Sequence, residues 1–200
     1  MEKLKVGILG FGTVGGGTYQ ILTQNHDLIT ERTGMSIDVV KALVRSKRDG
    51  LPPHMITEDP DVILTDPDIN VVVETMGGIE PASSFMLQAM AHGKHVVTAN
   101  KAAVAANYEK LQAAAEKNKV QFLFEASVGG GIPVLTAIRD ALQGNRFLEV
   151  MGIVNGTTNY ILTKMTEDGA DYADALKDAQ AKGFAEADPT ADVEGIDVAN

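Results

Sequence analysis

A chain of 200 residues, 44% apolar and 22% charged, can bury a sizeable core and hold one globular domain plus part of another. Its net charge of −10 speaks against nucleic acid and anionic membrane as partners, and the lack of cysteine removes disulfides, thiolate metal sites and thiol nucleophiles. No apolar run is long enough to span a bilayer, and the opening "MEKLKVGILGFG" lacks the long apolar core of a signal peptide, so a cytoplasmic location is expected.

Short β-branched runs alternate with longer helix-forming stretches, the pattern of a parallel α/β sheet. Residues 4–9 ("LKVGIL") make the first expected strand, followed by a glycine turn and a helix to about Leu22. A polar connection over 23–34 leads to a second strand at 37–44 ("IDVVKALV"). Further strands are expected at 69–74, 95–98 and 120–125, separated by helices at 81–92 and 101–118. "SVGGGIP", residues 127–133, punctuates the chain and marks the exit from the first domain. Beyond it a helix (134–143), a strand (147–154) and helices near 157–166 and 172–182 are expected. These are too few to cover both faces of a sheet. The expected fold is thus a Rossmann-type doubly wound parallel sheet over residues 1–130, followed by the start of an α+β domain over 131–200.

"GFGTVG" sets Gly10, Gly12 and Gly15 in the G-x-G-x-x-G spacing between a strand and a helix. The first glycine allows the tight turn, the second lets the backbone approach a pyrophosphate, and the third lets helix and strand pack closely. A strand–turn–helix with convenient glycines is the plainer alternative. NAD-specific sites usually carry an acid about 20 residues on, at the end of the second strand. Here Asp38 stands at the beginning of that strand, whereas Arg45, Lys47 and Arg48 follow its far end. A cation there attracts the 2′-phosphate of NADP, so NADP is favoured over NAD; a solvated basic loop is the competing account.

Ligands of open α/β sheets sit outside the carboxyl ends of the strands. Three such ends are unusual: "ETMGG" (74–78), "TANK" (98–101) and "EASVGGG" (125–131). Gly77 and Gly78 leave room for a flat ring. Lys101 opens a helix, where the dipole disfavours a cation, which suggests a role towards a carboxylate or carbonyl; an ordinary surface lysine is the alternative. The four histidines form no ligand spacing, so zinc-assisted chemistry is not expected. Hydride transfer assisted by lysine and carboxylates remains.

Taken with "NGTTNYIL" (155–162) and "AQAKGFAEADPTADVEGID" (179–197), these motifs resemble the homoserine dehydrogenase family along essentially the whole chain. The resemblance implies NAD(P)H-dependent reduction of L-aspartate 4-semialdehyde to L-homoserine, in threonine and methionine biosynthesis. It implies that Gly12, Thr13 and Val14 hold the pyrophosphate, Arg45 the 2′-phosphate, and Gly183 another part of the cofactor. Lys101 would lie beside nicotinamide and substrate. Glu186 and Asp197 would bind the amino acid, with Asp192 close by. The resemblance also implies a monovalent cation, sodium, on main-chain oxygens of Glu125, Val128, Gly130 and Ile132. The second domain becomes a substrate and dimerisation domain, and a homodimer or homotetramer is expected.

Five carboxylates (Glu186, Asp188, Asp192, Glu194 and Asp197) stand between Gly183 and Asn200 with no Lys or Arg among them. In the family the signature continues D-x-x-x-K, which puts the proton-donating lysine next after Asn200. These 200 residues alone are therefore expected to be inactive. Two other readings stand beside this one: an amino-acid dehydrogenase acting at the α-carbon, and a catalytically silent dinucleotide-binding module.

Overall fold

In a computed structural model that describes residues 2–45, 50–185 and 188–199, the β-branched runs form a parallel sheet. Its strands are β1 (Glu2–Leu9), β2 (Met35–Leu43), β3 (Ile56–Thr57), β4 (Val71–Glu74), β5 (His95–Thr98) and β6 (Phe122–Leu123), in the order β3-β2-β1-β4-β5-β6. All pairings are parallel, with β1 between β2 and β4. Parallel strands are covered on both faces, which is why these segments read as continuous apolar runs. Alternation along β1 divides them: Gly7 and Leu9 face the layer containing Ile63, while Val6 and Ile8 face the opposite layer with Phe11 and Tyr19.

The larger core lies under α3 (Asp61–Leu64), α4 (Ala82–Ala91) and α5 (Lys101–Asn118), where Met86, Met90 and Leu111 are fully buried against Val72 and Val96. The other layer rests on α1 (Thr13–Gln24). Asn100 caps α5 by accepting a hydrogen bond from the Ala103 amide. Lys94 ties the amino-terminal edge of the sheet. It is 2% exposed, and its ammonium donates to the main-chain carbonyls of Asp66 and of Ile69 (2.9 Å). Burial pushes its pKa down, with Asp66 opposing.

The chain divides into two compact units, residues 1–141 and 142–200. The last segment of the first unit is α6 (Val134–Thr136) with a π-helical turn at Ala137–Ala141, within the stretch expected as one helix over 134–143. The second unit is a helical hairpin of α7 (Gly156–Glu167) and α8 (Tyr172–Ala181), followed by α9 (Thr190–Val193) and α10 (Ile196–Ala199). Ile161, Ala175, Ala179 and Ala185 form its small core.

Three local expectations change. The polar connection over 23–34 contains a helix, α2 (His26–Thr33), ended by Gly34 at φ 75°. Residues 120–125 pair with β5 only at Phe122 and Leu123, and the chain then turns through a 3₁₀ segment at Glu125–Ser127. Residues 147–154 form no strand, because no described strand pairs with them; Leu148 is 90% and Val150 80% exposed. A β-branched run becomes a strand only when a neighbour supplies the ladder. Among the described residues, no helix is long and apolar enough to cross a membrane.

Removing the side chain of Leu111, fully buried on α5, should cost about 2–5 kcal/mol in Leu111→Ala, whereas Lys110→Ala on the exposed face should stay within about 0.5 kcal/mol; denaturant unfolding compares the two.

Candidate functional site

The order of the strands reverses direction between β1 and β4, the point where an open α/β sheet leaves a crevice. The glycine turn lies there, and its three glycines are required for different reasons. Gly10 adopts φ 93°, and a Cβ on it would approach the backbone of Met76 at 3.0 Å. A Cβ on Gly15 would lie 2.1 Å from the Gly10 carbonyl oxygen and 2.7 Å from Thr75 Oγ1. Gly12 is different: among the described residues, nothing comes within 4 Å of its added Cβ. The fold itself therefore demands two glycines, while the third leaves open a cradle that a side chain would fill.

Gly12 is the N-cap of α1, and among the described residues no side chain caps this end and no acid lies in its first turn. Thr13 and Val14 are exposed. The first-turn amides and the partial positive charge of the helix end thus face solvent, an arrangement suited to phosphate. The open cradle and the uncapped amides fit a dinucleotide pyrophosphate. Arg45 follows β2 and is exposed, where it can reach outward; Lys47 and Arg48 lie outside the described residues. Asp38 pairs with Lys5 in register and keeps company with His26 and Ser36, away from the carboxyl edge.

Beside the turn is a cavity of about 280 Å³ whose lining includes Val14, Thr75, Met76, Gly77, Asn100 and Lys101. Two strand ends frame it. Thr75 Oγ1 donates to the Gly10 carbonyl at 2.7 Å, joining β4 to β1. Glu74, fully buried, accepts from the Met76 amide (2.7 Å), the Thr98 hydroxyl (2.6 Å) and the Asn100 side-chain amide (3.4 Å). Asn100 also donates to the Gly78 carbonyl at 2.7 Å, and Lys101 follows it at the start of α5.

At the third strand end the Glu125 side chain folds back onto the start of α6. It accepts from the amides of Leu135 (2.9 Å) and Thr136 (2.7 Å) and from the Thr136 hydroxyl (2.6 Å). The Thr136 hydroxyl holds its carboxyl below the ordinary range, with burial opposing and the two amides assisting. Gly129 and Gly130 sit at φ 71° and 59°, which turns the loop sharply. The main-chain oxygen of Glu125 accepts from the Val128 amide and that of Ile132 from the Val134 amide. Each carbonyl keeps a second lone pair. Among the described residues no group of three His, Cys, Asp or Glu side chains could hold a metal.

The second unit carries its own cavity, about 640 Å³, lined by Asn155, Thr157, Tyr160, Gly183, Asp192 and Asp197 among others. Asn155 organises it. Its Oδ1 caps α7 by accepting from the Thr158 amide at 2.7 Å, and its Nδ2 donates to both Asp192 Oδ1 and Asp197 Oδ2, each at 2.8 Å. Two carboxylates from α9 and α10 are thereby held to one amide. Gly183, at φ 75°, ends α8, and the Phe184 carbonyl accepts from the Thr157 hydroxyl at 2.6 Å. Hydrogen bonds to the Tyr160 hydroxyl and to Asp178 raise the pKa of Lys182. The Thr190 hydroxyl and amide hold the Asp188 carboxyl low. Glu186 lies outside the described residues.

Sequence reasoning missed Glu74, Thr75, Asn100 and Asn155 as organisers. "NGTT" does carry an N-cap signal, with Asn ahead of a helix. Its link to Asp192 and Asp197, 37 and 42 residues away, has no local trace.

Two family models match: "Homoserine dehydrogenase, NAD binding domain" over residues 10–125 and "Homoserine dehydrogenase" over residues 133–200. Homoserine dehydrogenase of Synechocystis sp. is 48% identical over 98% of this chain and 46% of its own length; that of Bacillus subtilis is 44% identical over 100% and 47%. The chain thus spans about half the length of the curated relatives it matches. The crystal structure of a homoserine dehydrogenase from Thiobacillus denitrificans superposes with a TM-score of 0.91 at 48% identity, covering 98% of this chain and 46% of that one. A hyperthermophilic archaeal homoserine dehydrogenase in complex with NADPH superposes at 0.85 with 28% identity, covering 98% and 66%.

The three glycines should separate in mutation. Gly12→Ala should leave stability within about 0.5 kcal/mol while weakening dinucleotide binding, and Gly15→Ala should destabilise by about 1–3 kcal/mol; thermal melts and a nucleotide titration together distinguish them.

Proposed function

The chain belongs to the homoserine dehydrogenase family, and from that membership we propose that the protein interconverts L-homoserine and L-aspartate 4-semialdehyde with a nicotinamide dinucleotide, NADP preferred over NAD. When bound, the nicotinamide supplies or takes up the hydride. Residues 1–130 bind the dinucleotide: Gly10 and Gly15 shape the turn, and the amides of Gly12, Thr13 and Val14 take the pyrophosphate. Arg45 takes the 2′-phosphate. Gly183 contributes to the cofactor site as well. Lys101 steadies substrate and cofactor by its charge.

Residues 131–200 open the substrate and dimerisation domain. The observation that carries the reading is the Asp192–Asn155–Asp197 arrangement on the wall of an open cavity. A dinucleotide fold serves many dehydrogenases. Two acids tied to one amide select a substrate bearing a positive charge and a hydroxyl, as homoserine does. Asp197 and Glu186 grip the α-ammonium, and Asp192 supports them. A monovalent cation, sodium, on the main-chain oxygens of Glu125, Val128, Gly130 and Ile132 would brace the loop after β6. The protein works as a cytoplasmic homodimer or homotetramer in threonine and methionine biosynthesis, without nucleic-acid or membrane partners.

Full-length protein should oxidise L-homoserine with NADP⁺ and leave L-aspartate untouched, and Asp197→Asn should lower kcat/KM for homoserine on the order of 10- to 100-fold. Turnover of aspartate instead would indicate chemistry at the α-carbon. Nucleotide binding with no turnover of either would indicate a silent binding module.

A further inference from the structure

A carboxylate with no exposed surface is a costly choice for a strand end, because a neutral side chain could accept hydrogen bonds there without the desolvation of a charge. Glu74 occupies such a place at the end of β4, and its side chain is fully buried. Its observed partners all donate to it: the Met76 amide, the Thr98 hydroxyl and the Asn100 side-chain amide. The Thr98 hydroxyl also accepts from the Asn100 main-chain amide at 3.0 Å, which ties the carboxyl end of β5 into the same set of bonds. The Thr98 hydroxyl lies 2.6 Å from the Glu74 carboxyl oxygen, a short hydrogen bond between the ends of β5 and β4.

Those donors are the frame of the cavity beside the glycine turn. Met76 and Asn100 line it, and Asn100 in turn fixes Gly78 and caps the helix that begins with Lys101. Glu74 is next in the chain to Thr75, which lines the same cavity as Lys101, the residue expected beside the nicotinamide. The two redox forms of that ring differ by one positive charge, carried by the oxidised form. A buried anion at this depth acts on that charge with little screening.

We propose that Glu74 is a positioning residue with a second, electrostatic role: it locks the loops after β4 and β5 in register, and its charge favours the oxidised cofactor over the reduced one. The inference deepens the dinucleotide reading and rests on it. A purely structural Glu74 would affect both redox forms alike.

The test is to measure Kd for NADP⁺ and for NADPH separately, by calorimetry, in the wild-type protein and in Glu74→Gln. The substitution keeps the shape and removes the charge. The ratio Kd(NADP⁺)/Kd(NADPH) should rise on the order of tenfold in Glu74→Gln. Equal weakening of both forms, or no change in either, overturns the electrostatic role. Should Glu74→Gln fail to fold, Glu74→Asp serves in the opposite sense. It retains the charge on a shorter arm, so both affinities fall while the ratio stays near the wild-type value, and a shifted ratio overturns the proposal. A wild-type protein that binds neither form removes the dinucleotide reading itself, a result distinct from an unshifted ratio.

Discussion

At the end of β1 the chain passes so close to the first turn of α1 that a methyl group on Gly15 would sit 2.1 Å from the Gly10 oxygen, and the Thr75 hydroxyl donates to that same oxygen at 2.7 Å. Three elements meet at one carbonyl: the strand that starts the fold, the helix that follows it, and β4 across the point where the strand order reverses. The contact fixes the height of the helix end over the sheet. It also determines which amides stand uncapped at the mouth of the crevice. Glu74 continues the arrangement one strand further, linking the ends of β4 and β5. The carboxyl edge of the sheet is thereby a connected polar frame. Lys94 closes the opposite edge with bonds to main-chain carbonyls.

The charge balance makes local geometry decisive. A protein of net charge −10 repels an anionic dinucleotide at long range. The features that suit such a ligand are short-range: uncapped amides at a helix end and room at Gly12, with the exposed Arg45 following β2. The second unit inverts the requirement. Its carboxylates suit a cationic amino acid, and Asn155 holds Asp192 and Asp197 together despite their repulsion.

Much of this was legible in the residues because it is local. Glycine spacing, the strand-to-helix passage at residue 10 and the helix-forming stretches that become α4 and α5 each depend on neighbouring positions, and they emerged as expected. What escaped reading depends on distant partners. Glu74 looks like the polar end of an apolar run until Thr98 and Asn100 are brought to it by strand pairing. Asn155 looks like a helix cap until α9 and α10 fold back. Residues 147–154 show the converse. Their β-branched composition suggests a strand, yet strand formation needs a partner that composition cannot supply. The helix at His26–Thr33 was hidden because Leu28 and Ile29 alone make no apolar stripe among its polar residues, and none of its residues is buried.

Backbone amide resonances followed during titration with NADPH would show whether the carboxyl edge between β1 and β5 receives the cofactor. Saturable shifts should concentrate at Gly12–Gly15, Thr75–Gly77 and Asn100–Lys101. Shifts centred instead on a second cavity, lined by Tyr19, His26 and Asp38 near the start of β2, or spread without saturation, would place the nucleotide elsewhere.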